Sequence, residues 1–258
     1  MKHFVRLAML ALCQCMAAAA VSAKDGTHKQ ELQAVVHGAP DHPSEVWLLA
    51  AGGRIYDNWW EALDHKKPQG TNPAYPSAGK RTGATTWRCV ECHGWDYKGK
   101  DGIYGSGERF TGIKGIGDAI GRSPSEIVKL LRAAPHNYTP AMIADDELAR
   151  VAAFVSAGQH DTDRHIDRTT GKVRGDAARG AGFFQTLCAT CHGFDGRALN
   201  WGTKERPGYV GTEARKLPWE VLHKIRNSHP GAAMINLRAL PLQDAIDVLA
   251  YTQTLPDK

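Results

Sequence analysis

The sequence predicts an all-α fold in which two similar helical domains follow one another and carry long loops. Two observations favour this architecture. No stretch of useful length alternates apolar and polar residues, as a half-buried strand would. Apolar side chains instead recur at helical spacing, and they do so in the same order in both halves of the chain. The 258 residues, 42% of them hydrophobic and 23% charged, suffice for two small domains and exclude a disordered or collagen-like chain.

The first 23 residues are predicted to be a secretory signal peptide. Lys2 and Arg6 give a basic start, residues 7–21 are mostly apolar, and Val21-Ser22-Ala23 offers the small residues that a signal peptidase recognises. An uncleaved anchor would need about 20 apolar residues. We therefore expect an exported, periplasmic protein with no stable membrane span after cleavage, beginning with an extended segment over residues 24–42.

The charge balance gives no sign of a nucleic-acid partner. The formal net charge of the whole chain is +5, and it falls further when the two basic residues of the leader are removed. Such a small excess, spread over a chain of this length, is too weak to indicate binding to a polyanion.

Two Cys-x-x-Cys-His motifs carry the predicted chemistry. They are Cys89-Val90-Glu91-Cys92-His93 and Cys188-Ala189-Thr190-Cys191-His192, and the other two Cys of the chain lie in the leader. A disulfide or a redox dithiol needs no following His, and the Cys pairs of a zinc ribbon are normally only about 15–20 residues apart. Covalent haem attachment does need this pattern, because two thiols on one helical turn reach two vinyl groups while the adjacent His binds the iron.

The motifs therefore predict two covalently attached c-type haems. The thioether bonds would form at Cys89, Cys92, Cys188 and Cys191. The proximal iron ligands would be His93 and His192.

On these motifs the chain resembles the c-type cytochromes, and more narrowly the periplasmic di-haem cytochromes made of two class I cytochrome c-like domains. In that family the first helix of a domain carries a Gly and an aromatic residue at four-residue steps before the first haem Cys. Gly180, Phe184 and Cys188 match this spacing. The resemblance also implies that an aromatic residue in the last helix of each half, Phe154 or Tyr251, packs against the first helix.

The first half departs from the family pattern by an insertion. Gly52, Tyr56 and Trp60 begin the expected series, but Cys89 follows Trp60 only after a long interval. Residues 61–88 are therefore a loop insertion. Long loops of this kind are either structural or functional, so we expect an ordered loop over a haem edge or a site for a partner or substrate.

The second axial ligands are predicted to be Met142 and Met234. They are the only Met residues outside the leader, and the resemblance places a Met ligand in the corresponding interval after each motif. A thioether suits electron-rich iron(II), although a Met is also a common gap-filler in cores. His136 and His229 precede the two Met residues closely, and either could replace its Met to give a bis-His haem of lower potential.

After each motif the chain repeats a Gly-rich stretch, a helix that starts at a Pro, and a final helix. Pro124 and Pro218 suit the first turn of a helix, and Ser123 with Glu126 is typical of a capping box. A backbone carbonyl normally holds the free ring nitrogen of a proximal His, and Pro207-Gly208 is the segment predicted to supply it in the second half.

The repeat gives the predicted domain boundaries. The first domain spans residues 43–160 and includes the loop insertion at 61–88. Residues 161–174, which are charged and poor in apolar side chains, form a linker. The second domain spans residues 175–258.

The resemblance implies an electron carrier that passes single electrons between redox protein partners, such as a dehydrogenase and a terminal reductase or oxidase, and needs no catalytic residue. Two other functions stay open. One is a di-haem oxidoreductase of the thiosulfate dehydrogenase or peroxidase kind; the first version lacks a spare Cys as thiolate ligand, and the second requires an iron that loses its sixth ligand. The other is the electron-accepting subunit of a larger dehydrogenase complex.

Overall fold

The structure, a computed structural model, describes residues 36–257. The predicted signal peptide, residues 1–23, and most of the predicted extended segment, residues 24–42, lie outside the described residues. His42–Lys258 form one compact unit, and residues 36–41 belong to a separate one. No helix in the described part of the chain is long and apolar enough to cross a bilayer.

The described residues are helical and contain no strand beyond two isolated bridge pairs, which confirms the predicted all-α class. Between residues 42 and 158 there are four α-helices, the last of which continues into a π-helical turn: α1 Glu45–Ala62, α2 Cys89–His93, α3 Pro124–Arg132 and α4 Asp145–Ala153 with its turn Phe154–Gly158. Short 3-10 helices lie between them at Gly83–Trp87, Gly107–Arg109 and Gly117–Ala119.

The second half begins after a 3-10 turn at Thr162–Arg164. Its α-helices, the first extended by a π-helical turn, are α5 Ala177–Phe183 with its turn Phe184–Cys188, α6 Ala189–His192, α7 Val210–Lys216, α8 Pro218–Asn227 and α9 Leu242–Thr252.

The helix starts at the two Pro residues are confirmed, but one cap differs from the prediction. Pro124 and Pro218 each occupy the first turn of their helix. The capping box at Ser123 does not form, because the Ser123 hydroxyl bonds to the hydroxyl of Ser125 instead of to the backbone. The fixed φ of Pro124 and the solvated N-terminal amides are enough to begin this exposed helix.

The same close helix crossing occurs in both halves. In the first, α1 crosses α4 so closely that a Cβ on Gly52 would lie 2.1 Å from the carbonyl oxygen of Arg150. In the second, α5 crosses α9, and a Cβ on Gly180 would lie 1.9 Å from the carbonyl oxygen of Asp247. Only Gly allows backbones to approach in this way.

An aromatic pair lies one turn beyond each crossing. The ring centres of Tyr56 and Phe154 are 5.5 Å apart in the first half, and those of Phe184 and Tyr251 are 5.4 Å apart in the second. Such pairs add to the burial of the rings themselves. The expected contact between the last helix and the first helix of each half is therefore confirmed.

The two halves share one apolar core. Helix α1 contacts α8 as well as α4, and the buried apolar residues form a continuous cluster from Ile55 to Ile246. The predicted linker is part of the folded unit: Ile166 and Val173 are buried and pair across an isolated bridge. These two apolar side chains pack into the core and order the segment. The charged composition of the segment had not indicated this. The division into two domains stays a prediction from the sequence repeat.

The Gly180→Ala variant should lose stability because α5 and α9 would have to separate around the new methyl group. We expect the free energy of unfolding to fall by at least about 2 kcal/mol. Gly182→Ala is the matched control, since nothing lies within 4 Å of a Cβ at this exposed position of the same helix. That variant should be neutral or up to about 1 kcal/mol more stable. Urea unfolding followed by circular dichroism measures both, and equal losses would contradict the crossing.

Candidate cofactor sites

The first Cys-x-x-Cys-His motif opens onto a cavity in the first half. Helix α2 presents Cys89, Cys92 and His93 to this cavity. The opposite walls come from α3, from α4 and its π-helical turn, and from the loop that follows α3: Ile127, Leu131, Val151, Val155 and His136. Two thiols and one imidazole thus meet a largely apolar space of the kind that holds a planar cofactor.

The ring of His93 is held in one orientation by the backbone. Its Nδ1 lies 2.8 Å from the carbonyl oxygen of Lys114, and because a carbonyl only accepts, Nδ1 carries the proton and Nε2 is left as a ligand atom. Burial lowers the pKa of His93 to about 4, so the imidazole is neutral, as a metal ligand must be. The sequence had indicated no such carbonyl for the first half.

The thiols of the first motif are protonated and unbridged. Burial raises the pKa of Cys89 to about 11 and that of Cys92 to about 12. None of the four Cys residues between positions 36 and 257 forms a disulfide.

Helix α1 is bound to the end of the first motif. The hydroxyl of Tyr56 on this helix donates a 2.7 Å hydrogen bond to the carbonyl oxygen of Gly94, the residue after His93.

The structure places His136, but not Met142, in the first cavity. The ring centres of His136 and His93 are 6.2 Å apart. Met142 lines a separate surface cavity with Trp59 and His65, and its carbonyl oxygen accepts a 2.9 Å hydrogen bond from Nδ1 of His65. Of the two candidates that the sequence offers for this iron, only the imidazole faces the motif.

The second motif opens onto a cavity in the second half. Cys188 and His192 line it, while Cys191 is exposed. Both sequence candidates for the sixth ligand, His229 and Met234, reach this cavity. Apolar residues of α8, α9 and the preceding turns complete the walls, among them Phe184, Leu217, Val221, Ile225 and Val248.

His192 is less firmly held than His93. Its Nδ1 is buried and has no hydrogen-bond partner among residues 36–257. The segment predicted to hold it does not do so, because the carbonyl oxygen of Gly208 accepts instead from the backbone N–H of Trp201. The Trp201 ring, with its centre 5.8 Å from that of His192, packs beside the imidazole and partly covers it. Burial lowers the pKa of His192.

The insertion contributes to the wall of the first cavity. Asn72, Ala74, Tyr75 and Thr86 all line it. The loop is ordered by its own hydrogen bonds, including one of 2.8 Å from the backbone N–H of Asn72 to the buried Thr86 hydroxyl. This arrangement agrees with the expectation of an ordered loop at an edge of the first site.

A buried ion network connects the walls of the two cavities. Asp57 on α1 binds Arg88, which lines the first cavity, at 2.5 Å, and Lys224, which lines the second, at 2.9 Å. Both cations also lie close to the Trp95 ring, with Arg88 5.7 Å and Lys224 4.8 Å from its centre. Burial alone would raise the pKa of Asp57, but Lys224 and Arg88 outweigh it and lower the pKa to about 2.

A buried imidazole makes the neighbouring contact between the halves. Nε2 of His223 lies 2.8 Å from the carbonyl oxygen of Gly53, and its Nδ1 lies 2.9 Å from the hydroxyl of Tyr97. The neutral ring satisfies both, since Nε2 donates and Nδ1 accepts. Burial lowers the pKa of His223 to about 4. Sequence reasoning missed this group and the ion network, although an Asp inside the apolar run Ile55–Trp60 was a usable signal.

The side chains at the two cavities are of the kinds that a covalently attached haem would need. Within the described part of the chain, no three His, Cys, Asp or Glu side chains converge to hold a metal ion. Each cavity instead offers the imidazole of its own motif, which is anchored in the first half and packed against a Trp ring in the second. At least one thiol lies on the rim of each cavity, and the walls are largely apolar. No family model matches the chain, and no curated protein is significantly similar to it, so the residues themselves carry the functional argument.

Replacing the buried carboxylate of the ion network should be strongly destabilising. Asp57→Asn leaves Arg88 with only the more distant Glu91, at 3.5 Å, and Lys224 with only Glu220, at 2.8 Å. Because two charge-assisted hydrogen bonds in a buried place are lost, we expect the free energy of unfolding to fall by about 2–3 kcal/mol. Asp118→Asn is the control, because Asp118 is exposed and its 2.8 Å pair with Lys114 is screened by water. Chemical denaturation measures both variants. A loss for Asp57→Asn no larger than for Asp118→Asn would contradict the role of the network.

The stability of the protein should fall as the pH is lowered from about 6.5 to about 4. The unfolded chain binds a proton at His223 near pH 6.5, whereas the folded chain does so only near pH 4, so the unfolded state takes up more protons in this window. The contribution is on the order of 3 kcal/mol. His160, buried with a pKa lowered to about 3, acts in the same direction.

The variant His223→Gln should therefore show a shallower pH dependence of the unfolding free energy than the unmodified protein. His42→Gln, at an exposed position, should keep the original slope. Denaturant titrations at several pH values between 4 and 7 give the slopes. An unchanged slope in His223→Gln would mean that this imidazole is not neutral in the folded protein.

Proposed function

We propose that the protein is a periplasmic di-haem c-type cytochrome, built from two class I-like halves, that carries single electrons between redox partners. One observation carries the proposal: each Cys-x-x-Cys-His motif lines an apolar cavity of its own, next to the same Gly-mediated helix crossing. A disulfide, a dithiol or a zinc site would require neither the cavity nor the His that lines it.

The side chains that would hold each haem are those of the motifs. Cys89 and Cys92 would form the thioethers of the first haem, and Cys188 and Cys191 those of the second. When bound, a haem supplies reversible one-electron chemistry between iron(III) and iron(II). The chain itself supplies the proximal imidazoles and the apolar walls that exclude water.

In the second half Met234 is the proposed sixth ligand. It lines the second cavity, and its loop is held by a 2.8 Å hydrogen bond from the Ser228 hydroxyl to the Met234 carbonyl oxygen. His229 lines the same cavity and is the alternative. Each cavity is lined by a further side chain that could bind the iron opposite the motif His: His136 in the first, and His229 or Met234 in the second. A carrier with two six-coordinate irons is therefore favoured over an oxidoreductase with an open iron.

The contact between the halves supports electron exchange inside the molecule. Helix α8 lines the second cavity with Val221 and Ile225, and it contacts the first half through His223 and Lys224. Trp95 and Tyr97, both buried, fill the space between this helix and α1. No solvent layer therefore separates α8 from α1 at this contact.

Localisation and partners follow from the leader and the surface. The predicted signal peptide supports export to the periplasm. The periplasm is oxidising, so conditions there favour disulfides between thiols that are not attached to a haem. Trp201 lines the second cavity and is 53% exposed, and Phe194 nearby in sequence is 75% exposed. The exposed Trp201 ring at the rim of the cavity supports docking of another protein there, which we propose is a redox protein such as a dehydrogenase or a terminal reductase or oxidase.

Removing one motif at a time should remove one haem at a time. The protein is produced together with haem-attachment machinery, and the variants Cys89→Ala/Cys92→Ala and Cys188→Ala/Cys191→Ala are compared with the unmodified chain. We expect two covalent haems in the unmodified protein and one in each variant, by intact mass and by haem absorbance. The two variants are matched controls for each other.

The carrier function is tested on the same preparations. The reduced protein should donate one electron per haem to a ferric partner and show no steady turnover with thiosulfate or peroxide. Absence of covalent haem would contradict the cofactor assignment, and sustained turnover with either small substrate would replace the carrier with an oxidoreductase.

A further inference from the structure

We propose that the first haem is held by His93 and His136, and that the two haems of this protein therefore differ in their axial ligands. The inference rests on the proposed function and assigns a residue to the first site. Three separate features carry it: the separation of the two rings, the anchoring of His136, and the path of the loop that carries Met142.

The ring centres of the two imidazoles lie at the separation that one metal bound between them would require. Two imidazole nitrogens on opposite sides of a first-row metal each lie about 2.0 Å from it, which places the ring centres about 6.3 Å apart. The observed distance between the ring centres of His93 and His136 is 6.2 Å, with the ring planes tilted by 32°. Both residues line the same cavity as the thiols of Cys89 and Cys92.

His136 is anchored in the way that His93 is. Nδ1 of His136 lies 3.2 Å from the carbonyl oxygen of Leu130, and Nδ1 of His93 lies 2.8 Å from that of Lys114. A carbonyl fixes the proton on Nδ1, so each ring keeps Nε2 free as a ligand atom. A surface His that happened to lie nearby would need no such hydrogen bond.

The loop that carries His136 is fixed to the motif side of the first cavity. Arg132, the last residue of α3, donates to the carbonyl oxygens of Tyr138 and Ile143, each at 2.9 Å. The hydroxyl of Tyr138 then donates to the carbonyl oxygen of Trp87 at 2.7 Å, two residues before the first haem Cys. These bonds hold residues 133–143 in one path along the cavity.

The same path directs Met142 elsewhere. Its backbone N–H bonds to the carbonyl oxygen of Thr139 at 3.0 Å, and its own carbonyl accepts from His65 at 2.9 Å. His65 is fixed in turn by Glu147, at 3.2 Å. These contacts hold the backbone of Met142 beside His65, at a cavity separate from the one that the first motif lines.

The second half is built differently at the corresponding place. His229 is followed by Met234 after five positions, one fewer than the interval from His136 to Met142, and both residues reach the second cavity. As at His136, a carbonyl engages Nδ1 of His229, that of the adjacent Pro230 at 2.7 Å, so the halves differ in that Met234 lines its cavity and Met142 does not. A Met ligand raises the reduction potential of a haem relative to a His ligand. An added electron therefore resides preferentially on the second haem.

The test uses the full-length protein with both haems attached and three single variants. His136→Gly removes the proposed ligand, Met142→Leu removes the rejected one, and Met234→Leu is the matched substitution in the second half. Leu has nearly the volume of Met, so neither Leu variant disturbs packing greatly. Electron paramagnetic resonance counts low-spin and high-spin iron, and near-infrared spectra measure the Met–iron charge-transfer band.

We expect His136→Gly to convert half of the iron to a high-spin form, and added imidazole to restore the low-spin signal. Met142→Leu should leave the spin state, the charge-transfer band and both midpoint potentials unchanged, whereas Met234→Leu should abolish the band. Rescue by imidazole would not follow from a merely structural role of His136.

Two results would overturn the proposal while the di-haem function stands. One is a His136→Gly protein that keeps both irons low-spin without added imidazole. The other is a Met142→Leu protein that loses charge-transfer intensity or shows a high-spin haem. Failure of the proposed function is separately visible, since the unmodified protein would then carry no covalent haem.

Discussion

The carboxylate of Asp57 is the group on which the arrangement of the two candidate haem sites depends. Asp57 is 1% exposed, and its carboxylate binds one cation from each half. The backbone carbonyl of Asp57 also accepts a 2.6 Å hydrogen bond from Nε of Arg88. Arg88 directly precedes Cys89 of the first motif, and Lys224 lies on the helix that lines the second cavity. A burial that would be very costly for any one of these charges alone is tolerated because all three are paired.

Helix α1 is shared between the halves for a related reason. Gly52 lets it approach α4, and the next residue, Gly53, faces the side chain of Asn227 on α8. Arg238 adds a bridge, since it donates to Asn227 and, at 3.0 Å, to the carbonyl oxygen of Gly158 at the end of the first half. The two halves of the sequence repeat thus pack together as one body. Residues of each half stabilise the cavity of the other.

Some features could be predicted from the sequence. The helix starts at the two Pro residues follow from local backbone chemistry, although the capping box at Ser123 did not form, and the contact of the last helix with the first helix of each half was implied by the family resemblance. The choice between His136 and Met142 does not follow from the sequence, because both stand at acceptable intervals after the motif. Only hydrogen bonds from Arg132 and Tyr138, across distant segments, decide which of them faces the cavity. The burial of Ile166 and Val173 within residues 161–174 likewise depends on contacts with distant segments.

The shared contact surface has a consequence for the order in which the molecule matures. The first half emerges first during synthesis, and domains generally fold as they appear. Until α8 arrives, Trp95, Tyr97 and the Gly53 face of α1 have no cover, and Asp57 has only Arg88 as a partner. Docking of α8 then closes both sites together, so completion of the N-terminal site waits for the C-terminal half of the chain.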